Sequence, residues 1–127
     1  MPIEIRSDQA RDLTIATLEG VVTFHDIMAA IESFYSQPTK KIIWDSSNCQ
    51  YSQLTHVEVQ KLATFPLRYS DLRKDGKTAI VAREDLSFGL SRMFQAFGQA
   101  KDLPFSIEVF RELGDAMQWI AEPNIKE

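Results

Sequence analysis

LTIATLEGVVTFHDIMAAIESFYSQPTKKIIW, residues 13–44, decides the fold. Residues 13–18 alternate apolar and polar side chains, the period-two pattern of a half-buried strand. Gly20 breaks that pattern. Thr23-Phe-His-Asp26 then has the form of a capping box with Asp in place of Glu, and so opens a helix. Phe24, Ile27, Met28, Ile31, Phe34 and Tyr35 follow at helical spacing and give a broad apolar stripe for a core. Pro38 closes the segment, and residues 41–44 form an apolar run too short for a helix, hence a buried strand. Strand, helix and strand at this spacing make a crossover unit of a parallel sheet.

Upstream, Ile3-Glu4-Ile5 also alternates, and residues 7–12, SDQARD, make a turn. The two runs predict an antiparallel hairpin at one end of the sheet. Downstream, Asp45-Ser46-Ser47 reads as a strand-exit turn in which Asp and Ser side chains bond local backbone. Thr55-His-Val-Glu58 is a second capping box, followed by Val59, Leu62 and Ala63 on one helical face, and Pro66 removes a backbone donor and should split that helix. Asp75-Gly76 turns the chain into a buried strand over residues 78–82. Ser87 or Asp85 caps a helix carrying Leu90, Met93, Phe94 and Phe97. Residues 105–110 form a last strand, and Leu113, Ala116, Met117 and Ile120 line a final short helix. The order β-β-α-β-α-β-α-β-α predicts an α/β fold: a mixed, largely parallel five-stranded sheet with an N-terminal antiparallel hairpin, covered by about four helices.

Composition narrows the function classes. The 127 residues are 44% hydrophobic, enough for one core, and residues 1–127 read as one domain. Fourteen basic and 18 acidic residues give a formal charge of −4 without long like-charge blocks, which argues against nucleic acid as a partner. The start of the chain is charged and lacks a signal's apolar stretch, and no apolar run approaches a bilayer span; the expected location is cytoplasmic. Cys49 is the single cysteine, so an internal disulfide is excluded. His25 and His56 have no metal-ligand spacing. Gly89-Leu-Ser91-Arg-Met93 lacks the second glycine of a nucleophile elbow, and the five glycines are too scattered for a phosphate loop. No catalytic residue, metal or cofactor is expected.

With the elements placed, several motifs become recognisable: Leu18-Glu-Gly20 with Thr23 and Asp26, Gly76-Lys-Thr-Ala-Ile-Val81, and Asp85-Leu-Ser-Phe-Gly89-Leu-Ser-Arg92-Met93. A closing Val109-Phe-Arg111 with Ala116 and Trp119-Ile120 completes the set. Together they resemble the SpoIIAA-like proteins, bacterial single domains related in fold to STAS domains (the anti-sigma-factor antagonist fold) and to CRAL-TRIO lipid carriers. The resemblance spans nearly the whole chain and implies a STAS-like fold. In STAS antagonists a phosphoacceptor serine lies in an Asp-Ser-Ser-Gly-like turn that begins a helix. Here Asp45-Ser46-Ser47 comes directly off a strand, so only Ser52 and Thr55 lie near the switch position, and Thr55 is already a helix cap.

Binding is the remaining class. Residues 54–77 hold more apolar side chains than one face of a kinked helix buries, and residues 68–77 carry four basic and two acidic groups. The sequence therefore predicts a mobile lid over residues 54–74, covering a pocket for a small apolar or lipid-like ligand. Leu54, Val57, Phe65, Tyr69, Leu72 and Phe88 are its ligand or lid residues, with Phe65 and Phe88 at the mouth. Arg68, Arg73 and Lys74 are expected to face an anionic membrane surface. The alternative is a regulatory protein-interaction domain of the anti-sigma-factor-antagonist type, with a protein partner or a second copy bound and with Ser52 or Thr55 as the phosphosite.

Overall fold

Ile3 and Ile5 lie on the inner side of β1 (Ile3–Asp8), which pairs antiparallel with β2 (Leu13–Val22). The computed structural model of the chain describes residues 2–123, the side chains of 67–70 excepted. After β2 the elements are α1 (Phe24–Ser36), β3 (Lys41–Tyr51), α2 (His56–Thr64), a 3-10 helix (Phe65–Arg73), β4 (Lys77–Val81), α3 (Asp85–Ala100), β5 (Ser106–Phe110) and α4 (Leu113–Ala121). Strands β2 to β5 are parallel neighbours, so the sheet runs in chain order from β1 to β5. The sheet is mixed and five-stranded, as the sequence predicts.

Consecutive crossovers of one hand deliver their helices to one face. On that face Ile31 and Phe34 of α1, Leu62 of α2 and Phe94 of α3 gather around Ile42 and Trp44 of β3. Alternation along the strands sends Leu13, Ile43, Ala79 and Val81 to the opposite face, where Ala116 and Ile120 of α4 cover them. Every residue of β4 is buried, because this strand has neighbours on both edges and helices on both faces.

Two strands run further than expected. β2 passes Gly20 at φ +71°, a left-handed conformation that favours glycine, and continues to Val22. β3 continues to Tyr51, so Asp45-Ser46-Ser47 sits inside a strand and the strand-exit turn is corrected. Thr17 pairs with Asp45 and Glu19 with Asn48, which leaves one extra residue on β3 as a bulge. There the Ser46 hydroxyl donates to the Val81 carbonyl at the end of β4, and the Asp45 carboxylate accepts from the Ser47 N–H. The polar residues that imitate a turn thus serve a ladder. Pro66 does end α2, and the chain tightens there into the 3-10 helix. At α3 neither Asp85 nor Ser87 is the cap: the helix starts at Asp85 after Glu84, which makes no capping bond, while Asp85 pairs with Arg111.

Candidate functional site

Beneath α1, α2 and α3 the sheet leaves a cavity of about 90 Å³, or about 780 Å³ counting the space open to solvent. Its walls are mainly apolar, with Ile31 and Phe34 from α1, Ile42 and Trp44 from β3, and Leu90 and Phe94 from α3. Residues 54–73 supply Leu54, Val59, Leu62, Pro66 and Arg73 to the same wall. The polar residues of the wall are Tyr35, Tyr51, Thr78, Ser91 and Arg73.

Arg73 is 2% exposed, which corrects its expected place on a membrane-facing surface. Its Nε donates to the Thr39 carbonyl, one terminal nitrogen to Thr78 Oγ1, and the other to the Lys40 and Lys77 carbonyls at 2.9 and 3.0 Å. Tyr35 completes the set of hydrogen bonds, and the Phe34 and Phe105 rings lie 5.3 and 4.3 Å from the guanidinium carbon. A planar fork of five donors fits this clustering of carbonyls at the entrances to β3 and β4. Burial lowers the Arg73 pKa; Tyr35 and, at longer range, Asp12 oppose that shift. Lys77 is buried too, its Nζ donating to the Trp119 and Glu122 carbonyls at the end of α4. Two of the four basic groups in residues 68–77 are therefore structural.

The other expected site residues separate. Leu54 lines the cavity, and Phe65 packs against the core beside it. Val57 and Leu72 are exposed, as is Lys74. Phe88 lies beneath the Arg111 guanidinium at 4.0 Å and is not part of the cavity wall, which corrects its place at the mouth. Arg68 and Tyr69 lie outside the described side chains. Ser52 is exposed just past β3, its N–H donating to the Val22 carbonyl. Thr55 caps α2, accepting from the Glu58 N–H at 3.1 Å while the Glu58 carboxylate accepts from the Thr55 N–H. Burial pushes the Cys49 thiol up to about 11 and raises Tyr51, whose hydroxyl bonds with Ser46 and Cys49. A thiol so held is a poor nucleophile at neutral pH.

A second feature follows from the topology. Since β2 to β5 are parallel and a helix follows each, all four helices start at the same edge of the sheet. Val21, Val57, Leu86 and Leu113, four of the five large apolar side chains exposed among the described residues, lie at that edge, with Leu86 70% and Val21 62% exposed. The segments 19–26, 52–58, 82–86 and 111–115 that build it hold seven acidic residues against two arginines, more than the whole formal charge of −4. The arginines are engaged: Arg83 meets Glu112 and Arg111 meets Asp85. Single valines and leucines near helix starts carry no periodic signal, so sequence reasoning had no means of grouping them. Trp44, Thr78 and Ser91 were missed because they look like ordinary strand and helix residues.

Neither a protein-family model nor a curated protein matches this sequence. Among solved structures, an uncharacterized protein of the DUF3478 family with a SpoIIAA-like fold, from Shewanella loihica PV-4, is similar. It shares 18% identity over 94% of this chain and 92% of its own, with a TM-score of 0.57. The chain has a SpoIIAA-like fold. Among the described residues no helix is long and apolar enough to cross a membrane.

Proposed function

We propose that this chain is a non-catalytic regulatory domain that acts by binding another protein through the edge where its helices start. The carrying observation is the coincidence there of Val21, Val57, Leu86 and Leu113 with the acidic excess. Exposed apolar side chains rimmed by charge are the makings of an interface, and the carboxyl edge of a parallel sheet is where α/β folds place their sites. The SpoIIAA-like fold supports the same reading. The partner has an apolar surface bordered by lysine and arginine, and Ser52, beside the start of α2, is where a phosphate would add to the acidic field. The test compares affinity capture by the wild type with capture by a Val57→Asp/Leu86→Asp variant and a Leu72→Asp control. A discrete basic partner is expected with wild type and control, released by salt and lost from the double variant. Equal capture by all three overturns the reading.

The cavity favours a second reading, the binding of a small apolar ligand beneath residues 54–73. At about 90 Å³ this cavity, partly open to solvent, is smaller than the roughly 150 Å³ of an engineered apolar cavity that holds benzene, so a long lipid chain does not fit unless it leaves through the mouth. With Arg73 turned inward, Leu72 and Lys74 are among the exposed residues that this segment keeps, within its described side chains, for any membrane contact.

A further inference from the structure

The cavity contains two features that a purely apolar ligand does not use. The first is the charge of Arg73. Its N–H groups are occupied by neutral acceptors, which satisfy hydrogen bonding and leave the positive charge uncompensated. Among the described residues no carboxylate forms an ion pair with it; Asp12, which acts on it at longer range, accepts from the Lys40 N–H instead. The second feature is a pair of hydroxyls on the cavity wall. Thr78 Oγ1 accepts from Arg73 at 2.9 Å and keeps its own proton to donate. Ser91, 5% exposed, makes no side-chain hydrogen bond among the described residues, although it lies in the middle of α3 and opens on the cavity.

From this we infer that the cavity binds a small monocarboxylate with an apolar tail. The inference rests on the small-ligand reading and adds the chemistry of the head group. The carboxylate sits at the Arg73 end, where the buried charge has lacked a counter-ion, and accepts from the Thr78 hydroxyl, itself polarised by the guanidinium. The tail lies against Trp44, Ile31 and Phe94. The small cavity volume sets the class as short aliphatic or aromatic acids, with anything longer extending into solvent.

The test uses three probes of one length: hexanoate, hexan-1-ol and hexylammonium. Trp44 lies on the cavity wall and Trp119 packs on Phe110 at the other face, so titration of a Trp119→Phe variant at neutral pH reads Trp44 fluorescence alone. Hexanoate is expected to bind at least tenfold more tightly than either other probe. A Ser91→Leu variant, which fills the cavity from α3 without touching the Arg73 bonds, is expected to lose that binding while keeping its far-UV circular dichroism. Equal binding of hexanoate and hexan-1-ol, or tighter binding of hexylammonium, overturns the carboxylate assignment and leaves the small-ligand reading standing. No binding of any probe at millimolar concentration overturns both. Full hexanoate affinity in Ser91→Leu places the acid elsewhere and overturns the assignment to this cavity.

Discussion

Thr55 holds the first turn of α2 by accepting from the Glu58 N–H, so Thr55→Ala is expected to cost about 1 kcal/mol in chemical denaturation. The cap is on the surface, and the loss should leave the cavity intact. Arg73 is the opposite case. Lysine keeps the charge but cannot reach the Thr39, Lys40 and Lys77 carbonyls together, and each carbonyl left bare is a buried acceptor without a donor. Arg73→Lys is therefore expected to cost on the order of 3 kcal/mol, measured in the same way. Cys49 shows itself through pH. Burial raises its thiol from 9.0 to about 11, so the folded state favours the protonated form. That stabilisation is fully present below pH 9.0 and is lost as pH rises through about 11, with Tyr51, also raised by burial, adding to the alkaline loss. Thermal melts should show a falling midpoint from pH 9 upward.

Among elements, β3 shows why local reading stops where it does. Periodicity identified residues 41–44 because Ile42, Ile43 and Trp44 are apolar on both faces; beyond them Asp, Ser, Ser and Asn are turn-forming residues, and only the partner strand makes them extended. Removing the Ser46 hydroxyl leaves the Val81 carbonyl without its donor, so Ser46→Ala is expected to cost about 1–3 kcal/mol in denaturant melts. The entry to β4 was legible for a different reason. Asp75-Gly76 is a strong local turn signal, and a Cβ on Gly76 would collide with the Lys40 backbone oxygen. Arg73, by contrast, stands in a charged run and looks solvated. No local pattern reports that three carbonyls and two aromatic rings close around it, so its burial is a tertiary fact that the charged run conceals.

At the scale of the whole molecule, the acidic excess lies where the parallel strands end. At the edge where β3, β4 and β5 begin, exposed Lys40, Lys74 and Lys101 are balanced by Asp12, Asp75 and Asp102. Association at the acidic edge should accelerate at low salt and slow as ionic strength rises past about 0.1 M, where screening is about 10 Å; stopped-flow mixing with a captured partner measures this. A rate indifferent to salt would remove the acidic field from the mechanism. Chain order and strand order coincide throughout the sheet. During synthesis each parallel strand can therefore join a free edge without reopening an earlier pairing, and the order of assembly can follow the order of emergence from the ribosome. Until α4 arrives, Leu13, Ile43, Ala79 and Val81 have no helix over them, so the interval before α4 is synthesised is when the growing domain is most open to aggregation through that face.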